Sequence, residues 1–170
     1  EHLKRIEILN SQENIVAYLS QAVFHLLAIA GIAPQVHSCN LSQKSLVANF
    51  TEIDWQVGFS FDSGGIIDLS ELKDNPTLNS SNRDSQVVTE HTKKILPKID
   101  ERLNATELTL LQQLNLNSLP QIGQILPQQL QENSINLAWS KIEYLLRNYA
   151  QYHSGSLIRS ANLVDNLSIS

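Results

Sequence analysis

Residues 15–33, IVAYLSQAVFHLLAIAGIA, decide the fold of this 170-residue chain: only Tyr18, Ser20, Gln21 and His25 interrupt an otherwise apolar run of helical length. Ser11 stands ahead of the run as a candidate N-cap, Gly31 is placed for a left-handed C-cap, and Pro34 follows where a helix cannot easily continue. A helix apolar nearly all round needs cover on more than one side. The reading is a long buried N-terminal helix with the rest of the chain wrapped on it as an α+β domain.

Outward from that helix the period changes. Upstream, Leu3, Ile6 and Leu9 suit a short amphipathic helix, and a start at Glu1 without Met suggests a fragment. Downstream, Leu46, Ala48 and Phe50 alternate with Val47, Asn49 and Thr51. Trp55, Val57, Phe59 and Phe61 likewise stand at every second position, and Asp62-Ser63-Gly64-Gly65 is a turn into a third strand at residues 66–69. A small antiparallel β-meander is expected, with residues 36–39 as a possible fourth edge strand and the rings of Trp55, Phe59 and Phe61 resting on the central helix. Residues 73–86 read as a mobile loop between a helix-plus-meander region, 1–72, and a helical region, 87–170, of a single domain.

The second half carries helical signals. Residues 87–96 end at Pro97, Asn104 and Glu107 have the spacing of a capping box ahead of Leu108, Leu111 and Leu114, and Pro127 should interrupt the next segment. The last strong helix spans residues 135–152. Ile135, Ala138, Trp139, Ile142, Leu145, Leu146 and Tyr149 lie on one face, Lys141, Arg147, Asn148 and Gln151 opposite, and Gly155 can end it. Trp55 and Trp139 are both expected to be largely buried.

Composition narrows the function classes. The net charge of −5 comes from residues 1–84, which hold five basic and ten acidic side chains against seven of each in residues 85–170, so neither half has the basic excess of a nucleic-acid binder. One cysteine, Cys39, permits no intrachain disulfide and fits a reducing, cytoplasmic setting. The apolar run carries His25, Ser20 and Gln21 in its middle, which disfavours a membrane span.

Ionisable groups do not converge on a recognisable reaction. His37 and Cys39 alternate as neighbours on one strand face would, and with Asp54 and Asp62 they could rim a ligand cleft. His25 reads as a satisfied core histidine, and Asp54, Asp62, Asp68, Glu52 and Glu71 are each explained by turn capping. Lys93, Lys94, Lys98 and Arg102 read as a solvated helix face. No catalytic residue, metal or cofactor is expected.

The order of residues 15–61, a helix, then Gly31-Ile32-Ala33-Pro34, then strands, resembles the opening of the type III secretion chaperone fold. That resemblance implies protein partners, covers about a quarter of the chain, and does not extend to the helices after residue 85. The preferred expectation is a non-enzymatic regulatory or adaptor module that binds a protein partner or forms a homo-oligomer. Its surface would comprise Trp139, Tyr149, Tyr152, Leu157, Ile158 and Val164. The alternative is a nucleic-acid-binding transcriptional regulator with a helix-turn-helix in residues 104–152 that presents Lys141 and Arg147 to DNA. A small-molecule-binding domain or an enzyme is less favoured.

Overall fold

A computed structural model describes residues 12–73, 96–119 and 122–155. The expected helix at residues 1–9, the cap at Ser11, all but the first residue of the expected loop 73–86, nearly all of the segment 87–96 and the tail with Leu157, Ile158 and Val164 lie outside those residues. The architecture is α+β: helices α1 (Gln12–Ile29), α2 (Leu69–Lys73), α3 (Ala105–Gln112), α4 (Ile122–Ile125) and α5 (Glu132–Ser154) accompany strands β1 (Gln56–Ser60), β2 (Gly65–Ile67) and β3 (Glu101–Asn104).

Helix α1 ends as its sequence indicates. Gly31 takes φ 76°, its N–H donates to Ala28 O at 3.0 Å, and Ile32 N–H reaches back to Leu27 O at 2.9 Å, the paired bonds of a Schellman cap. The helix packs chiefly on α5 and on the 3-10 turn Gln113–Asn115 that follows α3. Its buried stripe is Ala17, Ser20, Gln21, Phe24 and Leu27, and Gln21 Nε2 donates to Leu116 O at 2.7 Å. Cover on every side is not realised, because Leu26 and Ile29 are 64% and 84% exposed. An apolar composition all round requires an apolar partner all round, and the described residues supply one on a single stripe.

The sheet differs from the expected meander in one strand. Its order is β2-β1-β3, antiparallel throughout, with Phe59 opposite Ile66 and Val57 opposite Leu103. Residues 46–51 form no strand. Both edges of β1 are already taken, and the alternating pattern of Leu46, Ala48 and Phe50 has no ladder left to join. The neighbouring segment bends into a short irregular hairpin instead, closed by Cys39 N–H to Lys44 O and Leu46 N–H to His37 O, each 2.9 Å, with Gln43 at φ 61° in its turn. The stretch from Gln35 to Asn40 lies along the free side of β2 through an isolated parallel bridge, with Gln35 N–H bonded to Gly64 O at 2.8 Å and Ile66 N–H to Gln35 O at 3.0 Å. It covers an edge that would otherwise present unpaired backbone. Residues 96–100 are extended and 101–104 are a strand, so Lys98 and Arg102 do not lie on a helix face.

Phe59 and Phe61 rest on α5, not on α1: Phe59 meets the Tyr149 ring edge-on at 5.7 Å between centroids. Val57, Ile66 and Leu103 share that face and join Leu108, Leu110, Leu111, Leu114, Ile142, Leu145 and Leu146 in the main core. The opposite face carries Gly58, where a β-carbon would meet the side-chain ends of Ile99 and Leu69. Covered on both faces, β1 is buried from Val57 to Ser60 without alternation. Trp139 is buried as expected, while Trp55 is half-buried.

The capping box is present. Glu107 N–H donates to Asn104 Oδ1 and Asn104 N–H to Glu107 Oε2, both at 2.9 Å. Gln112 Nε2 donates to Val36 O at 2.8 Å and to Leu46 O at 2.9 Å, which fastens both arms of the 35–46 hairpin to α3. Helix α4 ends before Pro127, and α5 closes at Gly155 with φ 63°. No helix among the described residues is long and apolar enough to cross a membrane.

Gly65 is where this arrangement tolerates least. A β-carbon there would run into the Gln35 carbonyl oxygen and come within 2.9 Å of the Gln35 nitrogen, and backbone cannot swing aside as a side chain can. Gly65→Ala is expected to lower the unfolding free energy by about 1–3 kcal/mol. Urea titration checks this; a midpoint equal to that of the parent protein would show that the edge segment is not held against β2.

Candidate functional site

Most residues singled out in the sequence are not brought together. His37 is exposed and its Nε2 lies 3.2 Å from Asn115 Nδ2. Cys39 is fully buried; its sulfur accepts Asp68 N–H at 3.2 Å and its thiol donates to Glu71 Oε2 at 3.3 Å. The hairpin that contains both residues aims the imidazole at solvent and the thiol inward, so the pair forms no shared site. Asp54 is exposed in the 52–55 turn, and Asp62, exposed in the β1–β2 turn, accepts a 3.4 Å bond from Tyr152 Oη. The four do not rim a common cleft. Among the described residues no three His, Cys, Asp or Glu side chains converge as metal ligands do.

The expected partner surface also divides. Trp139 and Tyr149 are 4% and 2% exposed and belong to the core. Helical periodicity shows which side of α5 they occupy but not how deeply that side is covered. The helix-turn-helix reading fails on its two cations. Lys141 Nζ is held by Glu107 Oε2 at 2.9 Å and Arg102 O at 2.7 Å, and Arg147 is buried against Glu143, with Nε 3.3 Å from Oε1 and its guanidinium over the Tyr144 ring. Both are engaged by carboxylates, and α5 is a core helix of 23 residues rather than an exposed recognition helix.

One group of residues does form a surface with chemistry. At the C-terminal end of α5, Tyr149, Tyr152 and His153 stand at the three- and four-residue spacings that put side chains on neighbouring positions. The His153 ring lies 4.4 Å from Tyr149 and 5.1 Å from Tyr152, and its Nε2 is 3.1 Å from Phe61 O. Phe61 bridges inward, 5.8 Å from Tyr152 and 5.9 Å from Phe59. The ladder therefore runs from a buried ring, Phe59, to two exposed ones, with Tyr152 53% exposed. Burial pushes the Tyr149 phenol upward and keeps it neutral. Lys98 stands beside this end, where Asp100, hydrogen-bonded at 2.7 Å, raises its ammonium above the usual lysine value. Asp100 in turn accepts Phe61 N–H at 2.8 Å, so the lysine is placed by the same backbone that places the ring. Rigid π-faces held on a core helix suit planar ligands that stack. Tyr152, expected on a protein-partner surface, is exposed, and His153, which the sequence reading does not single out, stands four residues after Tyr149.

Over nearly its whole length the chain is similar to the DNA repair protein RecO. It is 48% identical to that of Gloeothece citriformis over 98% of this chain and 56% of the relative, 43% identical to that of a Nostoc species over 97% and 56%, and 40% identical to that of a Synechocystis species over 98% and 55%. The chain thus spans about half the length of the curated relatives it matches. No family model matches it, and no solved structure does. This similarity overturns the expectation of a regulatory or adaptor module that works only through protein contacts, since the relatives are named for DNA repair. The likeness to the secretion chaperone opening falls with it. It rested on a strand order in which residues 46–51 took part, and they form no strand. The transcriptional regulator alternative is not favoured either, because the relatives carry a repair name and the two cations it needed are occupied inside the fold.

The Cys39 pocket still matters for stability. The hydrogen bond from Ser42, with smaller help from the Cys39 thiol and Lys44, holds the Glu71 carboxyl below its ordinary value of 4.5. A depressed carboxyl contributes stability that is fully present above that ordinary value and is lost as pH falls through the lowered one. Glu71→Gln is expected to flatten the acid limb of the stability curve below about pH 4.5 and to leave the neutral plateau's shape unchanged. Thermal melts across pH check it; an unaltered acid limb would mean that the carboxylate is not coupled to folding.

Proposed function

We propose that this chain is part of a DNA repair protein of the RecO kind and that its aromatic end, Phe61, Tyr152 and His153 beside Lys98, holds unpaired DNA bases. The 48% identity to a protein of that name carries the reading. Bases have a π-face whatever their sequence, and an exposed Tyr–His pair fixed on a core helix offers stacking without demanding particular hydrogen bonds. Charge favours this mode over a phosphate-tracking groove. Among the described residues Lys44, Lys98, Lys141 and Arg147 each lie against a carboxylate, so the described surface offers few unpaired cations to a phosphate backbone. The proposed role is binding rather than catalysis, in the cytoplasmic compartment that a bacterial repair protein shares with its chromosome.

The test is binding of fluorescent oligothymidine to the full chain across a salt series. A stacking site that uses one or two phosphates gives a log–log salt slope of about −1, where a basic groove with six to ten contacts gives roughly −4 to −7. Tyr152→Ala and His153→Ala are each expected to weaken binding about five- to a hundredfold. No binding in low salt, where electrostatic help is greatest, would sink the reading. Undiminished binding by both variants would remove the site from this face.

A further inference from the structure

A second surface lies away from the aromatic end. The turn before β1 and the first turn of α3 enclose an open cleft of about 230 Å³, with Phe50, Ile53 and Trp55 on one side and Asn104, Ala105 and Thr106 on the other. Its apolar side is unusually wet: Ile53 is 99% exposed, Phe50 40%, and Val47, just upstream, 78%. Such a group on one short segment is a mark of a contact surface. The segment is shaped in advance. Asn49 Oδ1 accepts Thr51 N–H at 3.0 Å and Thr51 Oγ1–H at 2.6 Å, and Trp55 N–H donates to Glu52 O at 3.2 Å.

Charge identifies the occupant. Glu52 lines the cleft, Asp54 is exposed on the same turn, and among the described residues no Lys or Arg lines it. A phosphate backbone would be repelled here, as would an acidic peptide. We infer that this cleft docks a cationic, apolar segment of a partner protein, with aliphatic or aromatic side chains on Phe50 and Ile53 and with Arg or Lys held by Glu52, Asp54 and the face of Trp55. The inference does not depend on the DNA reading, because it uses a different face and the opposite charge.

The probe is a synthetic peptide alternating Arg and Leu, titrated into the full chain and followed by tryptophan fluorescence, with Trp55→Phe to identify the responding residue. A Glu–Leu peptide of equal length and oligothymidine serve as competitors. All the substituted side chains are exposed or half-exposed, so the variants retain the fold. The expected result is a Trp55-dependent signal, weakened about tenfold by Ile53→Ser and at least about threefold by Glu52→Gln or Asp54→Asn, against less than about 1.5-fold for Glu132→Gln, an equal charge change at an exposed position on α5. Equal loss in Glu132→Gln would reduce the effect to net charge and overturn the inference. So would tight binding of the Glu–Leu peptide, a Trp55 response to oligothymidine, or a light-scattering mass that falls to the monomer in Ile53→Ser, which would assign the cleft to a second copy of the chain.

Discussion

A single buried carboxylate ties strand β3 and helices α3 and α5 together. Glu107 closes the first turn of α3 by accepting Asn104 N–H, and the same oxygen receives the ammonium of Lys141 from the middle of α5. Lys141 also reaches Arg102 O, one residue into β3. The end of a strand, the start of one helix and the centre of another are thus set against each other by one charged node. With Glu107 only 6% exposed, two donors, Asn104 N–H and the Lys141 ammonium, offset the desolvation of its carboxylate. The position of α5 fixes in turn where Tyr149 meets Phe59 and where Tyr152 and His153 emerge.

Where local chemistry decides an element, the sequence was a good guide. The Asn104 to Glu107 spacing, Gly31 and Pro34 after α1 and Gly155 after α5 all reappear in the structure, because each rests on contacts within a few residues. Strand β3 was invisible for the opposite reason. Glu101-Arg102-Leu103-Asn104 has one apolar side chain and a helix signal at its end, and it becomes a strand only because β1 has an edge to fill. Residues 46–51 show the converse, a strand-like alternation that lost its partner.

The candidate sites were legible in proportion to how much they depend on depth. Tyr152 was singled out on helical spacing and is exposed. Trp139 and Tyr149 were singled out on the same grounds and are core, since spacing specifies direction around a helix and not the cover above it. His37 and Cys39 looked paired because a strand was assumed between them. The irregular hairpin instead leaves the His37 ring exposed and the Cys39 thiol buried. The wet apolar cleft beside α3 could not be read at all, because its two walls lie some fifty residues apart in sequence.

The sheet order has a consequence for biosynthesis. Strand β1 stands between β2, its immediate successor, and β3, which begins at residue 101, while its aromatic face is covered by a helix that ends at residue 154. As the chain leaves the ribosome, Phe59, Ile66 and the apolar stripe of α1 are made long before the surface that hides them. The early half keeps one strand edge unfilled until β3 is made and its apolar faces uncovered until α5 is made, so productive collapse waits for nearly the whole of the described chain.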